Sequence, residues 1–209
     1  MKKWMVLLPL AAMCAQGAII GVSGPNSTTS ITACSPSAKA PAIIAAPSQV
    51  LNGSVTNCAQ QGFNERQDVA LLANISVDSG VIALGTIVDS HMIFLNGPGG
   101  AITHDGVIWE FSGNILGVMS DVDGNLEAGS TNLLGAIGTS YPGVSFNNRG
   151  LEARDGYSIN GRFLTVDMAV TQPGDWIRVV TANPVPEPGT YALMGAGLAA
   201  LGFLRRRKA

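Results

Sequence analysis

Asp121, Asp123, Asn125 and Glu127 place four oxygen-bearing side chains at alternate positions, so a looped backbone could turn them toward one cation. Calcium, which takes six to eight oxygen ligands, is the ion this chemistry suits. The spacing departs from a helix-loop-helix calcium loop, because Gly124 comes two positions early and no helical pattern follows. The same residues also make an ordinary polar turn, Asp-Gly-Asn, between two strands.

Other chemistry is sparse. His91 and His104 are the only histidines, and without H-E-x-x-H or paired C-x-x-C they do not make a zinc site. Asp89, Ser90 and His91 are adjacent, and neighbours on a strand point to opposite faces, which argues against a catalytic triad. Glu110, Glu127 and Glu152 are the carboxylates that would have to converge for glycoside cleavage, though no spacing favours it. Trp109, Trp176, Tyr141 and Tyr157 either stack on sugars, if exposed on one sheet, or fill a core. Beyond Cys14, the two cysteines are Cys34 and Cys58. An even number outside a leader segment suits a structural disulfide in an oxidising compartment.

The elements that must position these groups are short strands. Val69 to Val77 alternates apolar and polar residues, Asp78-Ser79-Gly80 turns, and Val81 to Val88 returns, which predicts a hairpin. Further strands are expected at His91 to Asn96, Val107 to Phe111, Ile115 to Met119, Phe163 to Val170 and Trp176 to Thr181, separated by glycine-rich turns. In Phe163 to Val170 the side chains of Leu164, Val166, Met168 and Val170 share one face. The fold class expected is all-β: a single antiparallel β-sandwich or jelly-roll domain over 50–182, with no useful helical period inside it. Residues 19–49, rich in Ser, Thr, Ala and Pro, read as an irregular arm tied down by the cysteines.

Both ends carry addresses. Lys2 and Lys3 precede an apolar stretch from Trp4 to Ala15, running on to Ile20, which reads as a signal helix; residues 1–18 are assigned to the signal peptide, with removal expected somewhere after Ala15, since Ala15 and Ala18 are both acceptable last residues. At the other end, over 183–209, Val185, Pro186, Glu187 and Pro188 are followed by an apolar run from Tyr191 to Leu204 and the basic stop Arg205, Arg206, Arg207 and Lys208. As a membrane helix the run would rise about 21 Å against a hydrocarbon core of about 30 Å, a thin span. The prolines hold Glu187 in an extended strip outside the membrane, and the arginines favour the cytoplasmic side.

Motif, apolar run and basic stop in that order resemble the PEP-CTERM sorting signal of Gram-negative bacteria. The resemblance implies recognition and processing by an exosortase, a transient stay in the inner membrane, and a final place at the cell surface or in extracellular matrix or biofilm. The tracts from Asp89 to Asn96 and from Pro173 to Val179 are also similar to uncharacterised exosortase-dependent surface proteins.

Setting aside the six basic residues of the two ends, six basic and thirteen acidic residues remain between the signals, a net charge of −7. Such a body repels phosphate backbones and excludes nucleic acid as an expected partner. The function expected is that of an exported surface or matrix protein, not an enzyme, without a cofactor unless calcium, its body structural or in contact with exopolysaccharide. Two alternatives differ in class: a secreted polysaccharide hydrolase, and a calcium-binding protein permanently anchored in the membrane.

Overall fold

The computed structural model describes residues 17–53, 55–143, 148–171 and 174–184, together with Met194, Gly195, Gly197 and Leu198, which are helical. Gln16–Asn183 forms one compact unit; Pro184 and those four residues belong to a second. The expected signal helix and nearly all of the C-terminal apolar run lie outside the described residues. Among the described residues no helix is long and apolar enough to cross a membrane.

In chain order the strands are β1 (Ile19–Ser23), β2 (Thr28–Thr29), β3 (Ala42–Ile43), β4 (Gln61–Asn64), β5 (Val69–Ala70), β6 (Ile75–Val77) and β7 (Gly80–Ile82). There follow β8 (Ile87–Leu95), β9 (Ile102–Phe111), β10 (Ile115–Met119), the helix α1 (Asn125–Leu134), β11 (Gly156–Asn160), β12 (Phe163–Val170) and β13 (Asp175–Ala182). The first sheet runs β1-β9-β12-β11, with β2 on a further stretch of β9. The second runs β10-β13-β8-β4-β3, with β5 also on β8, and β6 and β7 form a separate hairpin. Strand pairing is antiparallel except between β3 and β4. The body is therefore predominantly β, as its patterning predicts.

The sheets share one apolar cluster. Trp109, Leu164, Val166 and Met168 of the first meet Ile93, Leu95, Ile177 and Val179 of the second. Full burial of such aliphatic side chains is worth about 1.5–3 kcal/mol each. The second sheet is covered on its other face as well: Val88, Met119 and Val180 pack with Leu134 of α1, and Met92, Phe94 and Trp176 pack with Val50, Phe63 and Tyr141. Both faces of β8 and β13 are thus covered, which is why their buried residues run almost without interruption.

Three sequence expectations change. The arm over 19–49 is mostly irregular, yet β1 and β2 extend the first sheet and β3 the second, because Ile19–Ser23 find open backbone groups along β9. The hairpin expected over 69–88 is shorter: Val69 and Ala70 pair with β8, and only Ile75–Val77 and Gly80–Ile82 pair with each other. Where no helix was expected, α1 forms. Its Gly129, Ser130 and Thr131 are weak helix formers, but the Asp121 carboxylate accepts hydrogen bonds from the N–H groups of Asn125 (2.8 Å) and Leu126 (2.9 Å), satisfying the open first turn. Glu127 and Leu134 then anchor it in the interior.

Candidate functional site

Three carboxylates from two parts of the chain meet beside the start of β13. Glu152 and Asp155 sit on a turn closed by the Asp155 N–H donating to the Glu152 carbonyl (2.9 Å), with Ala153 between them at φ 54°. Asp175 is the first residue of β13, opposite Leu95 on β8. One ligand oxygen from each of the three lies within 4.8 Å of the others. Asp175 is only 1 % exposed, while Glu152 and Asp155 are half-buried and open the group to solvent.

No N–H group among the described residues reaches either oxygen of Asp175. Its one hydrogen-bonding neighbour is the Asp155 carboxyl, which can serve only if one of the two is protonated. Burial first, and then the charges of Asp155 and Glu152, push the Asp175 carboxyl up to about 9. Burial also raises Glu152 and Asp155, the latter partly offset by the Ala169 N–H.

The other buried carboxylates among the described residues have donors: Asp89 accepts from the Asp68 N–H (2.7 Å) and the Asn183 amide (3.2 Å). Glu65 is bound bidentately by Arg178, at 2.7 and 2.9 Å, and also accepts from the Ser90 hydroxyl (2.6 Å). Glu127 pairs with Arg149 and, at 3.2 Å, with Arg178. Burial alone would lower the Arg178 guanidinium, but the charge and hydrogen bonds of Glu65, then Glu127, raise it above its ordinary value. Two glutamates and two arginines thus neutralise one another inside the protein.

The expected cation loop does not assemble. Asp121 is occupied by the first turn of α1, Asp123 is exposed, and Glu127 turns inward to the arginines, so Asp121, Asp123, Asn125 and Glu127 do not converge. Helix formation from Asn125 onward is the physical cause, since it rotates Glu127 away from the loop. Glu110, Glu127 and Glu152 do not converge either: Glu110 pairs with Arg162 (2.7 Å) at the surface and Glu152 belongs to the acidic trio.

Both histidines are structural and neutral. The Nδ1 of His104 accepts from the Gln60 N–H (2.9 Å) and its Nε2 donates to the Pro25 carbonyl (2.9 Å), which fixes the tautomer; burial lowers its pKa. His91 lies between Asn64 (2.9 Å) and Thr181 (3.1 Å), and burial lowers it to about 3. Ser90 serves Glu65, so no triad forms around His91. The aromatic residues face inward too. Trp109 donates to Gln60 (3.0 Å) and Trp176 to the Val50 carbonyl (2.9 Å), both indoles fully buried; Tyr141 is buried and Tyr157 packs on the edge of the core. None of the four makes an exposed stacking platform, because the sheets need their bulk to fill the interior.

Cys34 and Cys58 are joined, with Cα atoms 5.6 Å apart. The bridge fastens the arm beside the residues that lead into β4. The sorting residues Val185, Pro186, Glu187 and Pro188, and the basic stop Arg205, Arg206, Arg207 and Lys208, lie outside the described residues.

Residues 184–208 match the PEP-CTERM protein-sorting motif. The chain therefore carries the signal of an exosortase-targeted, exported protein. Such a signal implies processing by an exosortase and passage by way of the inner membrane toward the cell surface. No curated protein and no solved structure matches the chain.

Proposed function

We propose that this is a secreted surface or extracellular-matrix protein, released from the inner membrane by an exosortase, with a body that is a structural module and not a catalyst. The observation that carries the reading is the sorting motif over residues 184–208. A disulfide-closed body with a net charge of −7 between the signals suits an oxidising compartment outside the cytoplasm. We read the two sheets as a β-sandwich with α1 and its loops as an added layer. Any contact with exopolysaccharide falls to the outer surface of this body, because Trp109 and Trp176 are spent on the core.

Deletion of Pro186, Glu187 and Pro188 tests the sorting step in cells. The expected result is protein held in the inner membrane fraction with Arg205 to Lys208 still attached. Undiminished release of the deleted protein to the surface would overturn the reading. Glycan-array binding by the released protein then separates a polymer-contacting body from a purely structural one.

A further inference from the structure

We propose that Glu152, Asp155 and Asp175 form a calcium-binding site that clamps the turn before β11 to the first residue of β13. The argument begins with charge. Of the other buried carboxylates among the described residues, Glu65 and Glu127 are matched by guanidinium groups and Asp89 accepts from the Asp68 N–H and the Asn183 amide, whereas the Asp175 oxygens have no such donor; the nearby Arg154 is exposed and pairs with Asp105. Burying an unpaired carboxylate is costly, and such groups in proteins are paired, protonated or bound to a metal. A single shared proton serves two carboxyl groups and leaves the third without a partner.

Asp175 supplies the second, separate argument. It is 1 % exposed, accepts no N–H hydrogen bond among the described residues, and faces the other two carboxyl groups. Its position is imposed by the backbone. Gly174 lies so close to the Leu95 carbonyl that a Cβ there would stand 2.3 Å from it, so the chain must enter β13 along this path. The fold thus carries an acidic side chain inward at a place where no N–H donor among the described residues reaches it.

The dimensions admit calcium. Calcium binds oxygen at about 2.3–2.6 Å, so ligands on opposite sides of one ion stand about 4.6–5.2 Å apart. A separation limit of 4.8 Å among the three carboxylates fits inside that sphere. Three carboxylates can offer up to six oxygens, and the half-buried side toward solvent admits water for the rest. Zinc prefers histidine and cysteine, and neither is in the trio. Outside the cell, calcium is abundant enough for a site of modest affinity to fill. The site does not depend on the sorting step, so failure of one leaves the other standing.

The test uses the full-length chain purified in detergent and stripped with a chelator, then titrated with calcium chloride alone. Calcium is expected to raise the melting temperature with concentration and to displace about one proton per ion near pH 7, read by calorimetry in buffers of different ionisation heat. Asp175→Asn is expected to melt higher than the parent without calcium and to lose the calcium response. Glu152→Gln should weaken the response at least tenfold, and it carries the test if Asp175→Asn fails to fold. Asp123→Ala, at the exposed position of the other acidic loop, should respond like the parent. The site is overturned if calcium leaves the parent's melting temperature unchanged, or if both trio variants keep the full response. An equal rise with magnesium would overturn the assignment to calcium.

Discussion

The Trp109 indole on the first sheet lies against the backbone of Gly62 on the second, where a Cβ would stand 2.6 Å from the ring. The tryptophan is fully buried and its N–H is held by Gln60, so it has no room to yield. Gly62→Ala should therefore force the sheets apart locally and cost about 1–3 kcal/mol, the usual range for overfilling a packed core. Urea denaturation of parent and variant measures it. A loss below about 0.5 kcal/mol, the range of ordinary surface changes, would show that the ring can move.

Joining Cys34 to Cys58 closes a loop across a sequence separation of 24. By the chain-entropy model such a closure contributes about 3 kcal/mol. Cys34→Ser with Cys58→Ser should lose that much, and the loss should be felt first in the arm, where the Ser27 hydroxyl donates to the Cys58 carbonyl and the Ser27 N–H to Lys39 (2.8 Å). Limited proteolysis is the check: new cleavage between Gly24 and Ala42 is expected, and a cleavage pattern identical to the parent's would contradict the tethering role.

Strand β12 was readable because one of its faces is half-open: burial alternates residue by residue, as does its apolar pattern. In β8 and β13 both faces are covered, and polar residues such as Ser90, His91 and Arg178 sit wholly inside, so alternation says nothing of which face is the core. The cysteine pair was legible from its even number alone. The acidic trio was not, since no periodicity ties Glu152 and Asp155 to Asp175, which follows them across two strands; the Trp176 N–H donating to the Arg149 carbonyl (2.8 Å) holds the segment before Glu152 beside the start of β13. The loop from Asp121 to Glu127 misled for the opposite reason. Its oxygen atoms are regular in sequence, but helix α1 and the arginines claim them separately.

Glu127, Arg149, Arg178 and Glu65 form one neutral buried group that joins α1 to β13 and to the turn after β4. Removing one charge strands the others away from water, so Glu127→Gln or Glu65→Gln should cost about 3–5 kcal/mol. The exposed pair of Arg154 with Asp105 gives the comparison: Asp105→Asn should cost less than about 1 kcal/mol. Chemical denaturation of the three variants side by side decides the matter, and equal small losses would mean that water reaches the interior group.

The leading residues of the compact unit are individually tied. The Gly17 N–H donates to the buried Asp89 carboxylate, Ala18 donates to the Ser112 hydroxyl (2.8 Å), and Ile19 donates to Asn64 (2.9 Å). Signal removal after Ala18 would discard two of these attachments, whereas removal after Ala15 keeps all three. N-terminal sequencing of exported protein should accordingly begin at Gln16. A start at Ile19 would show that the body does without the Gly17 and Ala18 contacts.

Asp175 and the histidines bend the stability profile in opposite directions. In the metal-free protein Asp175 keeps its proton up to about 9, while the unfolded chain gives it up near the ordinary aspartate value of 3.8, so its contribution is lost as pH rises through that window. The groups facing it, Asp155 and Glu152, are acidic and raised as well, and Arg154 offsets Asp155 only weakly. His91, lowered to about 3, and His104, also lowered, act the other way: the unfolded chain takes up protons below about 6.5, and stability falls with pH from there downward. Thermal melts in chelator should therefore show stability declining from pH 6.5 to pH 9 in the parent. Asp175→Asn should flatten that alkaline limb and leave the acid limb unchanged. A variant that declines as steeply as the parent would mean that Asp175 is already ionised at neutral pH, and that its burial is compensated by a charge other than a proton.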